Sequence, residues 1–162
     1  MTYFVAQTEK DLPGTAQVLS MSGLDFMLGI LAGTISAPPI SGLMNYRLDS
    51  VEPGHVVFRG TPEFSVSNPM GSVHGGWYGT LLDSCMACAV MTMVPRGSVY
   101  TTLEYKVNIT RAIPLGTEIL ATGRIQHSGR STGVANGEIC DANGMLYATG
   151  STTCIIMTPR TG

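Results

Sequence analysis

The chain has 162 residues, enough for one ordinary domain and little more. Its 9 Lys+Arg against 11 Asp+Glu give a net charge of −2, leaving no basic excess to neutralise phosphates and arguing against a nucleic-acid partner. With 44% hydrophobic and only 12% charged residues, about half the usual quarter, disorder is excluded and part of the surface is expected to be covered by another subunit.

Residues 1–20 are polar and aperiodic, and read as a mobile or loosely docked arm ahead of a single domain over 21–162. The first residues lack the basic region and long apolar run of a secretion signal, so a cytoplasmic location is expected, with Cys85, Cys88, Cys140 and Cys154 as thiols. Residues 26–46 are uncharged over about a membrane-spanning length, but Pro38-Pro39 and the glycines would break a spanning helix, so no membrane association is expected. Leu24, Met27, Leu28 and Leu31 follow helical spacing up to Gly33, predicting a short covering helix. Two strand-like runs, 44–49 and 55–60, flank the turn triplet Glu52-Pro53-Gly54 and predict a hairpin.

The longest predicted helix runs over 76–93. It is apolar on nearly every side, through Trp77, Tyr78, Leu81, Leu82, Met86, Ala89, Val90 and Met93, and so belongs in the interior. Strand-like runs follow over 99–110, 117–127, 130–140 and 145–157, punctuated by Pro114-Leu115-Gly116, Ser128-Gly129 and Ala142-Asn143-Gly144. Short connections predict an antiparallel meander of these four strands, with the helix across its concave face.

The segment Asn68-Pro69-Met70-Gly71-Ser72-Val73-His74-Gly75-Gly76 leads into the long helix. A glycine pair ahead of a helix lets the backbone approach a ligand. The first helical N–H groups point outward there, with the positive end of the helix dipole behind them, and can hold a developing oxyanion. The same glycines would equally serve a tight structural turn. Asp83 is surrounded in sequence by Leu81, Leu82, Cys85, Met86 and Ala87, and no Lys or Arg occurs between Arg59 and Arg96. A lone carboxylate in such surroundings is expected to have a raised pKa, and either a catalytic role or a structural hydrogen bond to Thr101 or Thr102. On one helix, Gly75 and Asp83 would lie roughly 12 Å apart along the axis. One small carbonyl cannot touch both, so joint action requires two chains and a site at a homodimer interface.

Together, NPMGSVHGG, an aspartate seven residues after its last glycine, and TTLEYKVNITR resemble the phenylacetate-degradation (PaaI-type) branch of hotdog-fold acyl-CoA thioesterases, over roughly residues 39–157. The resemblance implies an α+β hotdog fold, a long central helix wrapped by a curved antiparallel sheet, here with an extra N-terminal helix. It also implies sheet pairing into homodimers, commonly dimers of dimers, and hydrolysis of an acyl-CoA substrate. No metal or redox cofactor is expected, because a thiolate is already a good leaving group.

By position, Gly75 matches the family's oxyanion donor and Asp83 its catalytic carboxylate. Asn68 matches the amide that places the thioester or water, and Thr102 the hydroxyl near the attacking group, with Thr101 one register step away. His74 and Gly76 complete the motif, His74 chiefly as a lock on the turn. Ser128, Gly129 and Arg130 resemble the turn lining the coenzyme channel, where Arg130 is one of few cations available to a phosphate. Arg111-Ala112 stands where the family often has Arg-Pro, at a strand end.

Other features carry less. Cys85-x-x-Cys88 lacks a second pair for metal-ligand spacing and reads as small buried side chains. No serine lies in a nucleophile-elbow motif. The ten methionines suit an adaptable apolar pocket or core filling. A hydratase acting on enoyl-CoA would need a histidine soon after the aspartate, whereas His55, His74 and His127 all lie elsewhere. A non-catalytic acyl-CoA binding module would not require both Asp83 and Asn68.

Overall fold

A single helix of 17 residues, α4 (Gly75–Met91), runs across one face of a six-stranded antiparallel sheet. The structure is a computed structural model and describes residues 3–159. Its strands are β1 (Tyr46–Glu52), β2 (His55–Gly60), β3 (Val99–Ile109), β4 (Ile119–Ser128), β5 (Thr132–Asp141) and β6 (Leu146–Met157). Three shorter helices, α1 (Thr15–Leu19), α2 (Gly23–Ala32) and α3 (Pro39–Leu43), precede them. The α+β hotdog architecture with an extra N-terminal helix is therefore present, and most element ends fall within two residues of those expected from the sequence.

The strand order is β1-β2-β4-β5-β6-β3, which corrects the expected four-strand meander. Of those four strands only β4, β5 and β6 pair consecutively, while β1 and β2 form the expected hairpin. The connection after β3 is longer than a hairpin and buries Ile113, whose N–H donates to the Tyr78 hydroxyl at 2.8 Å. By crossing the sheet end, this connection puts β3 on the outside against β6 and lets β4 pair with β2. Register shifts at 48–50, 102–104, 125–127 and 139–140 are bulges, and such insertions bend and twist the strands they interrupt.

The helix can lie close to the sheet because glycines stand beneath it. Gly123 on β4 pairs with Gly137 on β5, which pairs with Gly150 on β6, so three glycines form a row across adjacent strands. A Cβ at Gly123 would collide with the Cys85 carbonyl, and one at Gly137 would lie 2.7 Å from Met86 Cγ. At Gly150 it would lie 3.1 Å from Met86 Cε. Over this row α4 buries Trp77, Leu81, Leu82, Cys85, Met86, Ala89 and Val90.

The N-terminal segment covers the other side. Ser22 caps α2 by accepting the Asp25 N–H at 3.1 Å, and Gly33, at φ 72°, ends it in the left-handed conformation typical of a helix C-terminus. Gly23 is needed for close approach, since a Cβ there would collide with the Met91 carbonyl. Ahead of α2, Val5 forms a parallel bridge with Ala37, Ala6 is buried, and the Ser36 hydroxyl donates to the Asp11 carbonyl at 2.6 Å. No helix among the described residues is long and apolar enough to cross a membrane.

The backbone of α4, unlike a flexible side-chain tip, cannot yield to a new methyl. Gly123→Ala is therefore expected to destabilise the protein by about 1–3 kcal/mol. Urea unfolding against the control Gly14→Ser, in open space at φ −67° and at the N-cap of α1, measures the difference.

Candidate active site

Residues 66–74 form a closed loop that presents the start of α4. Asn68 organises it: its Oδ1 accepts the N–H groups of Met70 (2.9 Å) and Ser72 (3.2 Å), and its own N–H donates to the Ser72 carbonyl at 2.7 Å. The turn needs Gly71, at φ 79°, in the left-handed region. The His74 N–H donates to the Val66 carbonyl at 2.9 Å. The Asn68 oxygen is thus committed to the loop, leaving its amide nitrogen to act as a donor.

His74 is the N-cap of α4. Its Nδ1 accepts the Gly76 N–H at 2.9 Å, so the neutral ring carries its proton on Nε2. One of the orphan helix N–H groups is thereby used. The neighbouring Gly75 N–H has no partner among the described residues, and Gly75 is exposed. It is a free donor at the positive end of a long helix.

Asp83 lies two turns further along. Its carboxylate is half-buried and accepts a hydrogen bond from the Thr102 hydroxyl at 2.9 Å. It makes no ion pair among the described residues. Burial raises its pKa, and the Thr102 bond offsets this only in part. Ser84, next to it, binds the Tyr46 hydroxyl at 2.9 Å and donates to the Thr80 carbonyl, a pair not evident from sequence because its partners are 38 residues apart.

Strand β3 runs beside α4 in the opposite direction. Tyr100 lies against Cys88, Thr102 meets Asp83, Tyr105 faces Gly79 and Ile109 faces Gly75. The bulge at Leu103 makes this possible: before it the even-numbered residues face the helix, and after it the odd-numbered ones do. Thr102 therefore faces Asp83, whereas Thr101 is exposed one position earlier.

Gly75 and Asp83 do lie on one helix, eight positions and so roughly 12 Å apart along its axis. The turn holding Ser128, Gly129 and Arg130 lies toward the other end of α4, because Gly133, just past it, packs on Val90. A single chain therefore brings together Gly75, Gly76, His74 and Asn68 at one place, and Asp83 with Thr102 at a second. The 128–130 turn is separate from both.

Comparison with known proteins now bears on this geometry. A family model described as the thioesterase superfamily matches residues 70–148, from the loop through α4 into β6. Over that span the chain is similar to the thioesterase superfamily. No curated protein sequence matches it. Among solved structures it is similar to a hypothetical thioesterase from Streptococcus pneumoniae with coenzyme A, at 28% identity and TM-score 0.66, over 75% of this chain and 93% of that one. It is also similar to a Streptococcus mutans protein bound to acetyl CoA, at 26% identity and TM-score 0.65, over 72% and 92% of the two chains. A phenylacetic acid degradation-related protein from Ralstonia eutropha gives 25% identity and TM-score 0.74 over 80% and 98%. The PaaI-type hotdog resemblance seen in the motif is supported by the family match and by the fold.

The raised Asp83 pKa has a sign that stability measurements can read. A carboxyl whose folded-state pKa is raised contributes stability below the ordinary carboxylate range and loses it as pH rises through the raised value. Near neutrality the ionised group therefore opposes folding. Asp83→Asn, which still accepts from Thr102, is expected to melt level with the wild type or up to about 4 °C higher at pH 7. A clear drop in Tm would instead make the carboxylate a structural element.

Proposed function

We propose that the chain is an acyl-CoA thioesterase that hydrolyses a CoA thioester to the free acid and CoA at a site shared by two copies. The observation that carries this reading is the pairing, among the described residues, of a half-buried Asp83 without a cation and a Gly75 N–H without a partner on the same helix, too far apart to meet on one carbonyl. Similarity to the thioesterase superfamily and likeness to proteins holding coenzyme A or acetyl CoA support the choice of thioester.

The exposed edge of β3 supports the dimer. Leu103, Tyr105 and Ile109 are 59%, 47% and 49% exposed on a strand whose outer side has no neighbour, the kind of edge that pairs with another strand. A two-fold antiparallel pairing of two such edges, centred on Lys106 and skipping the extra residue of the Leu103 bulge, sets Thr102 of one protomer opposite the partner's Ile109. Thr102 carries Asp83 beside it, and Ile109 carries Gly75. The acid of one chain then faces the N–H donor of the other.

In this arrangement the thioester carbonyl accepts from the Gly75 N–H, and the dipole of α4 stabilises the tetrahedral oxyanion. Asp83 of the facing protomer, held by Thr102, either acts as base on a water or attacks directly to give an anhydride that water then cleaves; in both routes the CoA thiolate departs and the acyl group leaves as the free acid. The Asn68 amide nitrogen orients the reacting group, while His74 fixes the turn by capping Gly76. Arg130, exposed at its turn and free of ion pairs among the described residues, supplies a cation for a coenzyme phosphate.

Three measurements test the reading. Asp83→Asn is expected to lower kcat by at least about 10²-fold, and the acid limb of kcat/KM should lie above the usual carboxylate range, since burial raises the base's pKa. Gly75→Pro removes the donor at the first helical position, where proline is well tolerated, and His74 at φ −64°, ψ 138° already has the extended backbone that precedes proline. Its expected loss is on the order of 10²- to 10³-fold with the fold retained. Co-expressing the two variants should restore about a quarter of wild-type activity, because half the dimers are mixed and each mixed dimer has one intact site. No restoration would mean that the two groups do not work across a dimer, and tight binding of CoA thioesters without turnover would make the chain a binding protein.

A further inference from the structure

A cavity of about 310 Å³ lies between the N-terminal segment and the side of α4 beyond Asp83. Phe26, Met27 and Ile30 of α2 form one wall, Cys88 and Met91 of α4 the opposite wall, and Tyr100 of β3 a side. Leu12 stands at the rim, 42% exposed. The few polar groups in the lining are already engaged: the Ser36 hydroxyl donates to the Asp11 carbonyl, and the Tyr100 hydroxyl lies against the Cys88 thiol. Burial pushes that thiol up to about 12, so it enters no acid–base chemistry near neutrality. The cavity therefore offers an apolar guest contact area and almost no hydrogen bonds.

Its position links it to the site. Cys88 is five residues past Asp83 on α4, and Tyr100 is two residues before Thr102 on β3, so the walls of the cavity continue the two elements that hold the carboxylate. The Asp83 charge is near enough to act on both the Cys88 thiol and the Tyr100 phenol. From Asp83 to Met91, at the far wall, is roughly 12 Å along the helix.

We propose that this cavity receives the acyl part of the substrate, an apolar group of about eight carbons, straight or aryl, with α2 as the wall that limits its size. The proposal rests on the thioesterase reading above. The size follows from volume: a site of about 150 Å³ holds benzene, so roughly twice that holds an octanoyl or phenylacetyl group, whereas a sixteen-carbon chain exceeds it. An acetyl group would leave most of the apolar lining without contacts.

A series of straight-chain CoA thioesters from acetyl to palmitoyl, together with phenylacetyl-CoA, tests this with wild type and three variants. Ile30→Trp fills the cavity from α2, Leu12→Trp narrows it from the exposed rim and is the safer fold, and Phe26→Ala enlarges it. The expected wild-type optimum is at octanoyl or phenylacetyl. At least one Trp variant should lower the octanoyl-to-butanoyl ratio of kcat/KM by about tenfold or more, and Phe26→Ala should move the optimum to longer chains.

Calorimetric titration with octyl-CoA, a thioether that cannot be hydrolysed, reads occupancy without turnover. A length profile unmoved in all three variants, in an active enzyme, overturns the cavity assignment and leaves the hydrolase reading intact. If wild type hydrolyses none of the series, the hydrolase reading fails. The cavity assignment then stands only if octyl-CoA binds more tightly than CoA itself and a Trp variant weakens that binding about tenfold. Equal binding of octyl-CoA and CoA overturns it.

Discussion

Contact between α4 and the glycine row beneath it is the constraint on which the rest of the molecule depends. Where Gly123, Gly137 and Gly150 pair across three strands, the sheet has no side chains to hold the helix away, and the Cys85 carbonyl and Met86 side chain occupy the space. Main chain and sheet approach until ordinary van der Waals contact stops them. A helix set that deep must be apolar on more than one side, which explains why α4 lacks the one-sided pattern of a surface helix. Its remaining faces are closed by α2 and the segment around Ser36 and Ala37, and bordered by the outer strand β3.

The same depth governs the electrostatics. In a helix lying on a sheet surface, an aspartate would be solvated and unremarkable. Here Asp83 is half-buried, has one hydroxyl donor and no cation among the described residues, and its pKa rises accordingly. Two turns away, His74 uses the Gly76 amide of the helix start, and the neighbouring Gly75 amide has no partner among the described residues. The helix thus holds an acid that resists ionisation and a donor that lacks an acceptor, at a separation no small functional group spans. Neither arrangement is what stability alone would favour, and features that oppose stability while the fold tolerates them tend to mark sites of chemistry.

Much of this was legible in the chain. Helical spacing of Leu24, Met27 and Leu31 gave the covering helix α2, and the run of apolar residues after Gly76 gave α4. The isolation of Asp83 from every basic residue in sequence foreshadowed its shifted pKa, because no nearby segment could supply a cation. Strand order was not legible: turn residues mark where a strand ends but not which edge the next strand joins, and the burial of Ile113 that carries the chain across is a tertiary event. The choice between Thr101 and Thr102 depended on a bulge at Leu103 that leaves no sequence signal, since hydrophobic alternation in β3 is already blurred by its exposed edge. Gly123, Gly137 and Gly150 carried a signal that was readable in principle. They recur once per strand at spacings of 14 and 13 residues, away from any turn, and mid-strand glycines mark close approach by something else.

The groups proposed to react and the cavity draw on different stretches of polypeptide. Asp83, Gly75 and Thr102 belong to the helix and its flanking strand, whereas the cavity's outer wall comes from α2 and the segment around it, and the two share only a few side chains such as Cys88 and Tyr100. Replacements in α2 can therefore reshape the cavity while the donor and the acid keep their backbone supports. Such a division lets a lineage retune which guest it accepts by drift in one peripheral helix, leaving the inherited chemistry untouched.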